Sequence, residues 1–287
     1  MESGENPESS SVYPDIHERP VELLQSLIRF DTTNPPGNEA ECIAYIDKLL
    51  TDAGFETVTV AKDPGRPNLI ARLRGRGEAP PLLLYGHVDV VTTAGQRWTR
   101  PPFGGEVADG FVWGRGAIDM KGGLAMYLSA FMRAKAEGLT PAGDVLLAAL
   151  SDEEAGGDFG ARYLVESHAG LFDGVRYAVG EMGGFSLLVG RKTFYPIQVA
   201  EKQICWMKAT VRGPGGHGSL PMRGGAMAKL AKMIERLEEN RLPVHVTPIM
   251  RQMMETVAQN QPFPTSTILR QLLNPSLSGV VLKLLGE

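Results

Sequence analysis

The sequence predicts an α/β protein, and three observations carry that prediction. Short aliphatic runs bounded by Gly and Pro alternate with longer segments whose apolar residues recur every 3.6 positions, as layered strands and helices require. Two of the runs, residues 82–85 and 145–150, lead straight into clusters of His, Asp and Glu. The length of 287 residues is enough for about two domains at ~150 residues each.

Taken in order, residues 1–15 are acidic and Ser-rich where a secretory signal would be basic and then apolar. They read as a disordered tail on a cytoplasmic protein. From Val21 a helix places Leu24, Leu27 and Ile28 on one face and stops at the turn Asn34-Pro35-Pro36-Gly37. A second helix runs from about Glu39, burying Ile43, Ile46 and Leu50, to Gly54. Residues 55–60, 68–73 and 82–85 read as strands, and a helix follows from Asp119 to about Glu137. A strand at 145–150, a helix near 160–166 and a strand at 175–179 continue the alternation. Near Phe194 the texture changes to a long β-branched segment reaching Val211, then a Gly-rich loop at 213–218, a helix at 225–239 and mixed helical sequence. The domain boundary is placed at about Thr193, giving domains of residues 16–192 and 193–287.

Composition excludes several function classes. With 29 Lys+Arg against 33 Asp+Glu, a net charge of -4, no stretch concentrates the basic residues that phosphate backbones require, so nucleic acid is not an expected partner. No apolar run reaches the ~20 residues needed to span a bilayer. Cys42 and Cys205 lie far apart in apolar-looking segments, which predicts two buried free thiols rather than a disulfide or a Cys-based zinc site.

Four segments carry candidate chemistry. His87 and Asp89 lie just past the apolar run 82–85, at the kind of strand end where open α/β sheets bind ligands. His87 offers a ring nitrogen to a metal, and Asp89, two residues on, is placed to orient the imidazole. Alone, such a pair is more often a surface feature. Asp119, in Gly114-Arg115-Gly116-Ala117-Ile118-Asp119-Met120-Lys121-Gly122-Gly123, stands at a helix start, where an N-cap is the ordinary role. The flanking glycines let backbone pass close to something and favour a site. After the run 145–150, Ser151-Asp152-Glu153-Glu154 is either a solvated loop or a pair of carboxylates dividing metal binding from proton transfer. Glu181 follows the last strand and, taken singly, is a turn acid. A sheet that gathers these strand ends along one edge would assemble one His with several carboxylates, a donor set that suits zinc and also cobalt or manganese.

GHVDVV, GRGAIDMKGG and SDEEAGG, in that order, resemble the motifs of the M20 zinc metallopeptidases, a family of aminoacylases, carboxypeptidases, deacetylases and dipeptidases. The resemblance runs from about Val21 to Pro221. It implies a zinc-exopeptidase-like α/β/α catalytic domain carrying an inserted α+β ferredoxin-like lid or dimerisation domain. It also implies two zinc ions: His87 and Glu181 on the first, Asp119 bridging both, Glu154 on the second. Glu153 matches the catalytic carboxylate and Asp89 the residue that orients the ligand His, and the peptide after Asp119 is implied to be cis. His217, in Gly213-Pro214-Gly215-Gly216-His217-Gly218-Ser219, matches a lid His that reaches a partner subunit's active site, where an imidazole donates to an oxyanion. By itself it would be an exposed loop residue.

The resemblance further implies a last His ligand on the second zinc from near the C-terminus. Downstream of His217 this sequence has His245 alone, within the lid region and in no ligand motif. Both domains are therefore expected to be incomplete at the C-terminus, with reduced occupancy of the second site. The expected function is hydrolysis of an amide bond in a small peptide or N-acyl amino acid by a homodimer built through the lid. The alternative is a catalytically impaired fragment, or a non-catalytic binding or dimerisation member. A nucleotide-binding α/β protein is disfavoured, because Gly114-Arg115-Gly116 lacks the G-x-G-x-x-G spacing.

Overall fold

A proline opens the first helix, α1 (Pro20–Ile28), at the position where its missing N–H costs no hydrogen bond. In this computed structural model the described residues are 15–181, 186–200, 205, 207–219, 223–240, 242 and 244–285. Of the expected tail over 1–15, residues 1–14 lie outside them, and Asp15 stands at the start of a short 3-10 turn, Ile16–Glu18. The chain divides into two compact units, Met1–Glu181 and Met182–Glu287, ahead of the hairpin that contains Thr193.

In the first unit α1 turns Leu23, Leu27 and Ile28 inward, and Leu24 is partly buried. Helix α2 (Ala40–Asp52) buries Cys42, Ile43, Ile46, Leu49 and Leu50. The chain then forms β1 (Glu56–Ala61), β2 (Pro67–Leu73) and β3 (Leu82–His87). A small hairpin follows, β4 (Glu106–Ala108) and β5 (Phe111–Trp113), turned by Asp109 and Gly110, both at positive φ as a tight two-residue turn requires. Helix α3 (Lys121–Ala136), strand β6 (Val145–Leu150), helix α4 (Ala161–Ser167) and strand β7 (Tyr177–Val179) complete the unit.

The sheet order is β1-β2-β6-β3-β7. Strands β6, β3 and β7 are mutually parallel, whereas β1 and β2 join antiparallel. The sheet is therefore mixed. Helices α1, α2 and α3 cover one face, packing Leu27, Ile46, Leu124 and Phe131 against Leu69, Ala71, Leu147 and Ala149. On the other face Ile70, Leu146, Ala148 and Leu150 meet Leu164 of α4. Strand β6 reads as an unbroken apolar run because its alternating side chains are buried on both faces.

The second unit contains the hairpin β8 (Leu187–Val189) and β9 (Lys192–Phe194), and helices α5 (Ala226–Glu239), α6 (Pro248–Gln259), α7 (Thr265–Gln271) and α8 (Pro275–Leu285). Thr247 caps α6, its hydroxyl accepting from Met250 N–H at 3.1 Å, with Pro248 in the first turn. Gln261 ties the hairpin to this helical part by donating to Val189 O at 3.0 Å.

One expectation is corrected. Cys205 is exposed and only Cys42 is buried, its thiol pushed up to about 12 by burial.

Candidate metal centre

Parallel pairing brings the candidate residues together. In the β3–β6 ladder His87 stands opposite Leu150, so the chain leaves β3 and β6 at the same edge, with Asp89 beyond one strand and residues 151–154 beyond the other. Strand β7 runs parallel to β3 and delivers Glu181 to that edge. Tyr127 of α3 fastens this end by donating to Gly180 O at 2.5 Å.

Asp119 comes from the loop before α3. It does not cap the helix: Met120 is the N-cap residue and makes no side-chain cap bond. The carboxylate instead lies 3.1 Å from His87 Nε2. The peptide from Asp119 to Met120 is cis. The glycines around this loop serve close backbone approach, as a Cβ at Gly122 would lie 2.1 Å from Ala117 O.

His87 is 2% exposed and Asp89 is fully buried. The imidazole Nδ1 meets the main-chain oxygen of Asp89 at 2.9 Å, with the Asp89 carboxylate at 3.4 Å. A proton on Nδ1 satisfies both contacts, and Nε2 faces the carboxylates. Around Nε2 stand Asp119 at 3.1 Å, Glu181 at 3.6 Å and Glu153 at 3.8 Å. Asp119 and Glu153 are more than half exposed, so the cluster opens to solvent on one side.

The electrostatics are those of crowded anions. Burial opposes a charge on His87, but hydrogen bonding to Asp89 and the charges of Asp89 and Glu153 outweigh it and raise the imidazole to about 9. Burial and the neighbouring Asp119 push the Glu181 carboxyl up to about 7, and Glu154 is raised by burial and by Asp119. Asp89 moves the other way. Burial would raise it, yet hydrogen bonds with His87 and from Asn34 hold it below the usual carboxylate range.

Carboxylates that repel one another around an imidazole nitrogen form a donor set chemically matched to a small divalent cation. Two triplets offer donor atoms within 4.8 Å of one another: His87, Asp119 and Glu154, and His87, Glu153 and Glu181. His87 belongs to both triplets. His217 belongs to the second unit. It is exposed, and its Nδ1 takes the Ser219 hydroxyl at 2.7 Å.

Sequence reasoning missed the residues behind Asp89. Asn34, read as part of a helix-stopping turn, donates to Asp89 Oδ2 at 2.8 Å. Asp152 is 2% exposed and accepts from Asn34 and from Arg66 rather than facing the cluster. The signal available for Asp152 was its place between a buried strand and two useful acids.

The profile of Peptidase family M20/M25/M40 matches residues 83–267. That span covers most of the chain and contains the whole cluster. The chain belongs to this family. It is 35% identical over 231 residues to a succinyl-diaminopimelate desuccinylase of Cereibacter sphaeroides, covering 78% of this chain and 57% of the relative. It is 30% identical over 254 residues to aminoacylase-1 of Sus scrofa, covering 82% and 60%. The chain thus spans somewhat over half the length of these curated relatives. Among solved structures, human carnosine dipeptidase 1 aligns with a TM-score of 0.50 at 23% identity, covering 57% of this chain and 38% of that one, a likeness of fold. Among the described residues no helix is long and apolar enough to cross a membrane.

Proposed function

We propose that this chain carries the metal-binding part of an amide hydrolase that removes the acyl group from an N-acyl amino acid, with small peptides as the second substrate class. The observation that carries the reading is the convergence of Asp119, Glu153 and Glu181, from three separate segments, within 3.1 to 3.8 Å of His87 Nε2. The acyl preference follows the names of two relatives, a desuccinylase and an aminoacylase, and the peptide class follows a third, 32% identical, named a probable carboxypeptidase.

His87, Asp119, Glu154 and Glu181 would hold two zinc ions, with Asp119 shared between them and cobalt or manganese as substitutes. When bound, the ions supply Lewis acidity and bring the pKa of a water toward neutrality. The chain's own residues do the rest. Asp89 fixes the imidazole with Nδ1 protonated, so that Nε2 remains a donor to the metal. Glu153, more than half exposed, takes a proton from the attacking water and returns it to the leaving nitrogen. His217, with Nδ1 engaged by Ser219, has Nε2 to donate to the oxyanion of the tetrahedral intermediate in the site of a second copy of the chain. We assign residues 16–192 to the catalytic domain and 193–287 to a lid through which two copies associate, in the cytoplasm.

The test is zinc analysis after dialysis together with hydrolysis of N-succinyl and N-acetyl amino acids and of dipeptides. The expected result is bound zinc at fewer than two ions per chain with weak turnover of the acyl compounds, and Glu153→Gln retaining zinc while losing that turnover by ~100-fold or more. Turnover by Glu153→Gln at the wild-type rate overturns the base. A folded chain that binds no zinc overturns the metal centre and favours the non-catalytic reading.

A further inference from the structure

A buried polar network lies behind the His87 cluster and begins at Arg66, which is 8% exposed and immediately precedes β2. The guanidinium donates to Glu39 through Nη2 at 2.6 Å and Nε at 3.1 Å, and its Nη1 lies 3.0 Å from Asp152 Oδ1. Asp152 Oδ1 also accepts from Asn34 Nδ2 at 3.1 Å, and its Oδ2 accepts from Phe159 N–H at 3.0 Å. The same Asn34 amide reaches Asp89. Asp89 in turn accepts from the backbone N–H groups of Glu153 and Glu154, both at 3.1 Å.

Each link constrains the next. Asp152 adopts a left-handed backbone, φ 66°, which redirects the chain leaving β6 so that residues 153 and 154 turn their N–H groups onto Asp89. Buried carboxylates persist only when paired and hydrogen-bonded. Here Glu39, Asp89 and Asp152, all 2% exposed or less, share one guanidinium and one amide. The turn Asn34-Pro35-Pro36-Gly37 serves both ends of the network. It supplies Asn34, and at Gly37, φ +85°, a Cβ would lie 2.3 Å from the guanidinium carbon, so the bare backbone there leaves room for Arg66. An ion pair serving stability alone needs one partner. This one extends into a network that joins four segments, around residues 34–39, 66, 152 and 89, and ends on the residue that orients His87.

We propose that Arg66 is a positioning residue for the metal centre: through Asp152 and Asn34 it fixes Asp89 and the backbone of 153 and 154, and so sets how His87, Glu153 and Glu154 present their donor atoms. The proposal rests on the metal-centre reading above.

The test is Co2+ titration against a competing chelator, with the visible d–d spectrum recorded. Arg66→Lys keeps the charge but loses the planar fork, and is expected to weaken Co2+ binding by about 10- to 100-fold and to alter the band, as loss of an outer-shell partner does. Arg72→Lys, which disturbs the pair of Arg72 near the far end of β2 with Asp144, should leave affinity within about two-fold and the band unchanged. In an Asp89→Asn background Arg66→Lys should cause no additional loss, because both act on one route. A folded Arg66→Lys protein with the wild-type affinity and band, or losses that simply add in the double variant, overturns the proposal. Should Arg66→Lys fail to fold by circular dichroism, Asn34→Ala is judged by the same two outcomes. Wild-type protein that binds no Co2+ overturns the metal centre and this role together, whereas normal wild-type binding with unaffected variants overturns the role of Arg66 alone.

Discussion

Helix α3 in the first unit and helix α5 in the second are of similar length, yet they end in opposite circumstances. In α3 Leu124, Leu128 and Phe131 are buried to 2% exposure or less beneath a sheet. Helix α5 has apolar residues at the spacing of a single face, Met227, Ile234 and Leu237, and all three are more than half exposed. An amphipathic stripe specifies a helix, but what covers it is decided by parts of the chain far away in sequence. In the first unit those parts are the five strands of the sheet, and the same register that closes the core also aligns the chemistry at one edge.

The largest expected effect separates the two units directly. Leu147→Ala, at a fully buried position of β6, should cost about 2 to 5 kcal/mol through lost burial and the cavity left behind. Leu237→Ala in α5 should stay within about 0.5 kcal/mol. Urea unfolding of both variants checks the contrast, and a loss for Leu237→Ala as large as that for Leu147→Ala would show that α5 is covered in solution.

The same contrast explains what could be read from the sequence. Strand 145–150 and helix 225–239 match their observed limits closely because a continuous apolar run and a 3.6-residue stripe are local signals. His87, Asp119, Glu153, Glu154 and Glu181 were legible because each stands at an element boundary, and parallel strands collect such boundaries. The antiparallel attachment of β1 and β2 was not legible, since strand pairing is settled between distant segments. Neither was the hairpin β8–β9, whose strands have three residues each, too few to show alternation. Asn34 and Arg66 escaped for another reason. Their meaning lies in what they touch, and an Asn before two prolines or an Arg before a strand reads the same whether solvent or Asp152 stands beside it.

An intermediate effect belongs to the second unit and probes its local stability. The Thr247 hydroxyl satisfies an N–H at the start of α6 that no helical carbonyl can reach. Thr247→Ala should therefore destabilise this helix by about 1 kcal/mol. Amide hydrogen exchange within α6 should quicken accordingly, while β6 amides remain unchanged. Faster exchange in both places would mean that the two units unfold as one cooperative body, which removes the basis for comparing them separately.

The smallest effect is electrostatic and is confined to the first unit. The Gly75 N–H, then Arg72 at 2.7 Å, hold the Asp144 carboxyl below its ordinary value of 3.8. A carboxyl whose folded pKa lies below its unfolded one adds stability that is fully present above the unfolded value and is lost as pH falls through the folded one. Asp144→Asn should thus lower stability slightly at neutral pH and flatten the decline below pH 3.8. Because Asp144 leads directly into β6, exchange at β6 amides should register the change, and α6, whose i,i+4 pair Arg251–Glu255 is exposed and 3.9 Å apart, should not. An equal response in α6 would place the acid sensitivity in the chain as a whole rather than in the sheet that carries the His87 cluster.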